Sequence, residues 1–147
     1  MGKEAFTEQE KNGYQIFKNN CASCHSEPLF SNYNFENNGL PIDESLNDLG
    51  RFVITKNEND KGKFKTPSLR NLSTTYPYMH DGRFMTIKEV INHYTSGIER
   101  SATLSPQLNE SIELSSNEKT DLISFLLTLN DKDFVFNKKH QFKKISN

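Results

Sequence analysis

The sequence predicts a single all-α domain in which one helix near each end packs against the other and a long irregular stretch lies between them. Three observations carry this: two capped, periodic segments near the ends, no sustained helical or strand period from Ser26 to Lys65, and a length of 147 residues, within the range of one domain. Thr7 opens the first element as an N-cap, with Glu10 completing a capping box, and the spacing predicts a helix to about Lys18. Gly13, Tyr14 and Phe17 fall near one of its faces, flanked by Ile16. From Ser26 to Lys65 the chain is polar and rich in Asn and Gly, with Phe30, Tyr33, Phe35 and Phe52 spaced irregularly. So long a region without regular structure argues against a compact domain unless it is a functional loop wrapped around something.

Pro67 sits at the start of a short helix expected near Ser68 to Leu72, and Pro77 breaks the chain ahead of Tyr78. Thr86 caps a further helix through about Tyr94, with Ile87, Val90, Ile91 and Tyr94 on its buried side and Gly97 just beyond its end. Ser115 and Glu118 form a second possible capping box before Leu122, Ile123, Phe125, Leu126 and Leu127, an amphipathic helix over about Ser116 to Leu129. The glycine and aromatic face of the first helix lets this last one cross it closely. One domain over residues 1–147 results, with a core of about 7–130. The tail, 131–147, carries Lys138, Lys139, Lys143 and Lys144 with Phe134, Phe136 and Phe142, a solvated terminus or a surface for an acidic partner.

Only 33% of residues are hydrophobic, against about 45–50% in a typical domain, and the mean hydropathy is -0.76. The chain is short of material for a self-sufficient core, so something else is expected to fill the middle. Lysine and arginine number 18 against 19 acidic residues, and a net charge of -1 gives no field for nucleic acid or an anionic membrane. No apolar run approaches the ~18 residues of a membrane span. The start, Met1-Gly2-Lys3-Glu4, has no apolar signal-peptide core.

Both cysteines, Cys21 and Cys24, stand in one pentapeptide that ends in His25. C-x-x-C-H is the attachment signature of c-type haem: two thiols add across the vinyl groups, and the following imidazole coordinates the iron. Two intervening residues make a single turn that points both sulfurs at one porphyrin edge, and the haem supplies the core that the composition lacks. A redox dithiol belongs at a helix start within a βαβ pattern, which is absent here. A structural zinc site needs four ligands, and His80, His93 and His140 form no matching second pair. A haem-free domain with Cys21 and Cys24 as thiols or a disulfide remains open.

Further blocks follow. Asp48-Leu49-Gly50-Arg51, Phe64-Lys65-Thr66-Pro67-Ser68-Leu69-Arg70-Asn71, Pro77-Tyr78-Met79-His80-Asp81-Gly82-Arg83-Phe84 and Thr86-Ile87-Lys88-Glu89-Val90-Ile91 stand in order after the haem motif. Together they resemble the C-terminal haem domain of the bacterial di-haem cytochrome c peroxidases and the related MauG proteins, over about Thr7 to Asn130. The resemblance implies a cytochrome c-like fold with crossed terminal helices and long haem-wrapping loops, and one covalent haem c. Such enzymes carry two such folds, each with its own C-x-x-C-H. With one motif at roughly half the expected length, the chain looks like an excised domain or a single-haem relative of an exported, periplasmic parent. In that family hydrogen peroxide usually reacts at the N-terminal haem, while the C-terminal haem accepts electrons and passes them inward. The resemblance therefore implies the electron-relay half of a peroxidase, not fully active alone. The second haem domain or a small redox donor protein is its expected partner, with calcium between domains as a further expectation. A stand-alone mono-haem module for ligand binding or electron carriage is the alternative.

The sixth iron ligand in this family is usually a methionine after the H-D-G block in the peroxidases and a tyrosine in MauG, and matching the blocks puts Tyr94 there. A phenolate oxygen favours ferric iron and lowers the potential, whereas a thioether raises it. Met79 and Met85 flank the H-D-G turn and stand as alternatives, as does an open or histidine-bound site; His93 projects about 100° from Tyr94 on a helix. His80 is expected to brace the distal loop through hydrogen bonds. Arg70 and Arg51 are candidate partners of the haem propionates, since a guanidinium supplies a paired, charge-assisted donor.

Overall fold

The computed structural model describes residues 5–140; residues 1–4 and 141–147, including Phe142, Lys143 and Lys144 of the expected tail, lie outside them. The order of elements is α1 (Glu8–Asn20), β1 (Phe35–Glu36), α2 (Phe52–Thr55), β2 (Phe64–Lys65), α3 (Ile87–Asn92), α4 (Ser116–Thr128) and α5 (Lys132–Val135). Short 3-10 turns lie between them, and a π-helical turn, His93–Gly97, continues α3.

Both expected terminal helices form, and for the expected reason. The Thr7 hydroxyl accepts from the Glu10 N–H at 3.2 Å while the Glu10 carboxylate accepts from the Thr7 N–H at 2.7 Å. Ser115 and Glu118 repeat the arrangement at the start of α4. The two helices cross at Gly13, where an added Cβ would stand 2.0 Å from the Asp121 carbonyl oxygen, so the backbones meet with no side chain between them. Phe17 and Phe125 are buried beside the crossing with ring centroids 5.1 Å apart, and Leu122, Leu126 and Ile91 complete the buried cluster. Tyr14 and Ile16 pack at its edge.

Three expectations are corrected. The fold is helix-rich and broadly as expected, but it adds a small sheet to the all-α reading: β1 and β2 pair antiparallel, with Phe35 opposite Lys65 and Glu36 opposite Phe64. Two residues per strand are too few to leave an alternation in the sequence. The helix expected near Ser68 to Leu72 is a 3-10 turn at Leu72–Thr74. The Ser68 hydroxyl donates to the Leu29 carbonyl at 2.6 Å and accepts from the Arg70 N–H, which competes with helical bonding, and Asn71 then turns left-handed at φ 60°. The helix from Thr86 remains α only to Asn92, and Tyr94 and Gly97 belong to the π turn.

Polar side chains order the long middle segment. Asn37 is buried and donates from Nδ2 to Ser101 Oγ at 3.1 Å and to Thr103 Oγ1 at 2.9 Å, while its Oδ1 accepts from the Gly39 N–H at 2.8 Å. The Ser31 hydroxyl donates to the Thr66 carbonyl at 2.7 Å, closing the segment against the strand that leads to Pro67.

Candidate functional site

Cys21, Cys24 and His25 lie on a turn that carries on from α1. The Cys21 N–H donates to the Phe17 carbonyl at 2.8 Å, and the His25 N–H donates to the Cys21 carbonyl at 2.9 Å, so the motif is an extension of the core helix. Both thiols are free. Burial, with the neighbouring Cys24 adding to it, pushes the Cys21 thiol up to about 12, and burial also raises Cys24. His25 Nδ1 donates to the Phe30 carbonyl at 3.1 Å. A carbonyl only accepts, so the proton sits on Nδ1 and the Nε2 lone pair is left for a metal. Burial holds this imidazole below its ordinary pKa, in the neutral form that a ligand requires, against the opposing pull of the Phe30 and Pro67 carbonyls. Phe30 pays for its position with a left-handed backbone at φ 54°, an unusual conformation for a bulky residue and one that recurs at functional sites.

Tyr94 lies far along the sequence from Cys21, Cys24 and His25. It stands in the π turn, and Lys119 of α4 holds that turn by donating to Asn92 Oδ1 and Thr95 Oγ1, each at 2.9 Å. Its phenol pKa is raised, first by burial and also by the Cys21 and Cys24 thiols, while the polar Asn38 side chain opposes the rise. The Tyr94 phenol is therefore within electrostatic reach of the two sulfurs. Cys21, His25 and Tyr94 each retain some accessible surface although burial dominates their ionisation.

The other expected residues separate. The Met79 sulfur accepts from Asn38 Nδ2 at 3.5 Å, whereas Met85 is 57% exposed. His93 is buried and donates from Nε2 to the Asn38 carbonyl at 3.0 Å, its ring edge-on to Tyr94. His80 stacks on Phe64 with centroids 3.6 Å apart and planes 12° apart; it braces the loop through this ring stack. Arg51 is engaged by Asp60 at 3.2 Å and lies over the Phe35 ring, while the Arg70 guanidinium has no ion pair or hydrogen bond among the described residues. Three features left no mark that sequence reasoning could use. The Phe30 carbonyl that orients His25 is backbone, Asn38 sits inside an ordinary polar run, and Arg83 spends its guanidinium on Asp81 at 2.8 Å and the Pro41 carbonyl at 2.8 Å.

The residues present fit a covalently held haem. Two thiols and an imidazole with its Nε2 free stand on one turn, a phenol lies within electrostatic reach of those thiols, and the Thr66 hydroxyl is buried without a hydrogen-bond partner among the described residues. A buried orphan donor next to Pro67, on the His25 side, is what an acceptor from outside the chain would satisfy.

Residues 10–130 match the cytochrome c family, and the chain belongs to that family, whose members bind haem c covalently. Within it, the chain is 34% identical to the cytochrome-c peroxidase IdrP2 of Denitromonas iodatirespirans, over 85% of this chain and 40% of that protein. It is 39% identical to the methylamine utilization protein MauG of Methylophilus methylotrophus, over 86% of this chain and 38% of that one. The chain thus spans about two-fifths of the length of these curated relatives. Among solved structures, a MauG-like protein associated with microbial copper homeostasis superposes with a TM-score of 0.83 at 32% identity, over 95% of this chain and 52% of the other. No helix among the described residues is long and apolar enough to cross a membrane.

Proposed function

We propose that the chain is the haem c-bearing, electron-relay domain of a peroxidase or MauG-type oxidoreductase, acting beside a second haem domain in an exported parent. Bound haem c supplies reversible one-electron chemistry at its iron. Cys21 and Cys24 anchor it through thioethers, His25 Nε2 is its proximal ligand, and Tyr94 is the sixth ligand. The observation that carries this reading is the Cys21–Cys24–His25 turn, in which both thiols are free and the Phe30 carbonyl fixes the His25 proton on Nδ1, with the Tyr94 phenol within electrostatic reach of those thiols. The chain's part is to hold a phenol that keeps its proton until a nearby cation offsets the charge. Met85 is too exposed to compete, and the Met79 sulfur is already an acceptor. Arg70, with its guanidinium uncommitted, is a better partner for a propionate than Arg51, and Thr66 Oγ1 is a further donor.

The test is the ferric absorption spectrum of the chain made in a periplasmic haem-maturation host, beside a Tyr94→Phe variant. A covalent haem whose spectrum changes with the variant supports tyrosinate ligation. A thioether-type spectrum unaffected by the change turns the site into an ordinary high-potential haem, and failure to attach haem covalently sinks the whole reading.

A further inference from the structure

Charge is unevenly spread along this chain. The fifteen residues from Arg51 to Lys65 hold five of its 18 cations and two of its 19 acidic residues, so a stretch of net charge +3 sits in a chain of net charge -1. Arg51 is engaged by Asp60, but Lys56, Lys61, Lys63 and Lys65 have no carboxylate within ion-pair distance among the described residues. Aromatic rings hold most of these cations. Lys65 Nζ lies 5.1 Å from the centre of the Tyr33 ring, Arg51 lies 4.4 Å from that of Phe35, and Lys56 and Lys61 lie 5.9 Å and 6.0 Å from that of Phe52. Rings that restrict long side chains reduce the ordering cost of an encounter. Between Arg51 and Lys56, α2 exposes Val53 and Ile54, the latter to 84%.

This face adjoins the cysteine turn. The Asn32 N–H donates to the Cys24 carbonyl at 2.8 Å, and Asn32 Nδ2 donates to the Ser23 carbonyl at 3.3 Å. Tyr33 follows directly, and Phe35 pairs with Lys65 in the sheet while its ring carries Arg51. A permanent interface between domains resembles a core cut in half, whereas a small apolar centre among charges is the anatomy of a transient encounter steered by electrostatics. Glu58 and Asp60 stand among the lysines, which suits separate carboxylates on a protein better than a continuous row of phosphates.

We propose that the face centred on Val53 and Ile54 and bordered by Lys56, Lys61 and Lys65 is the docking surface for the electron donor, a small redox protein with an acidic face. The proposal rests on the electron-relay reading above. In each encounter one electron leaves the donor and is taken up at the haem iron, ferric to ferrous.

The experiment mixes the haem-bearing full chain with a reduced plant-type iron–sulfur ferredoxin, a small acidic reductant, and follows haem reduction by stopped flow at rising salt. The forms compared are the parent, a patch variant (Lys56→Gln, Lys61→Gln and Lys65→Gln together) and a control of equal charge change on other elements (Lys88→Gln, Lys132→Gln and Lys138→Gln). Ile54→Asp serves as the patch variant if the triple change fails to mature. The patch variant is expected to be slower by about tenfold at low salt, with a flatter salt dependence, at an unchanged ferric spectrum and midpoint potential. The control is expected to stay within about twofold of the parent. Equal rates in parent and patch variant, or equal slowing in the patch variant and the control, overturn the docking surface and leave the haem reading standing. A parent dimer in sedimentation velocity that the patch variant dissociates assigns the face to a second copy of this chain and likewise overturns it. A chain without covalent haem shows this in its spectrum before any donor is added, and removes the relay reading and this proposal together.

Discussion

Gly13→Ala tests the crossing on which the fold depends. The added methyl would stand 2.0 Å from the Asp121 carbonyl oxygen, 2.6 Å from its carbon and 2.8 Å from Phe125 Cβ. Ordinary contact needs about 3.4 Å, so α1 and α4 must separate by roughly 1.4 Å at their closest point. The obstacle is backbone, with no rotamer to escape into, and a gap of ~0.5–1 Å already forfeits a quarter to a half of each dispersion contact across the interface. Overpacking of this kind costs about 1–3 kcal/mol, and the upper end applies because Phe17 and Phe125 pack beside the crossing. Against it stands a gain of about 1 kcal/mol from replacing glycine in a helix interior. The expected net loss is about 2 kcal/mol, or a fall in Tm of roughly 4–8 °C for a chain of this size. Thermal unfolding of the haem-bearing chain, followed by far-ultraviolet circular dichroism, measures it. Asn12→Ala, one residue earlier on the exposed side of α1, is the control and is expected to leave Tm unchanged or slightly raised. A Gly13→Ala chain that melts at or above the parent would refute the close crossing.

Two further predictions concern caps and the orphan hydroxyl. Hydrogen bonds from Thr86 and Ser115 hold the Glu89 and Glu118 carboxyls below their usual range. With folded pKa values below the unfolded ones, this stabilisation is complete above the ordinary carboxylate value of about 4.3 and fades as pH falls through the folded values. Glu118→Gln should therefore flatten the dependence of Tm on pH between about pH 5 and pH 3, and an unchanged slope would rule the cap out as its source. Thr66→Val removes the one buried side-chain oxygen without a partner among the described residues. If that hydroxyl serves a haem propionate, the haem-bearing variant should lose about 1–3 kcal/mol; a neutral or stabilised variant would show that Oγ1 stays unpaired.

The parts of this molecule that were legible in the sequence are those in which a few adjacent residues decide the outcome. A capping box needs two residues three apart, and Thr7 with Glu10 and Ser115 with Glu118 close as expected. The haem motif needs five consecutive residues, and the family it points to is the one whose pattern residues 10–130 match. What stayed hidden is set by contacts between distant segments. The β1–β2 pair joins residues about thirty apart through two positions per strand, and the π turn at Tyr94 answers to Lys119 on another helix. Ser68 reads as a helix residue until its hydroxyl finds the Leu29 carbonyl.

The same distance effect explains how a chain so poor in apolar residues orders its middle. Asn37 is only 8% exposed and forms the joint between the segment after β1 and the stretch from Ser101 to Ser105. Its amide satisfies Ser101 Oγ, Thr103 Oγ1 and the buried Gly39 N–H, and its carbonyl accepts from the Ser105 N–H at 3.0 Å. Asn37→Leu keeps the size and deletes the side-chain bonds. The Ser101 and Thr103 hydroxyls retain access to water, so they recover partners, whereas the Gly39 N–H is buried and does not. One buried donor left unpaired costs about 1–3 kcal/mol, the same order as a lost core contact, although no apolar area changes hands. The loss should read as a fall in Tm of roughly 2–12 °C in the haem-bearing chain. An Asn37→Leu chain that melts with the parent would refute the account of Asn37 as the joint that orders this segment.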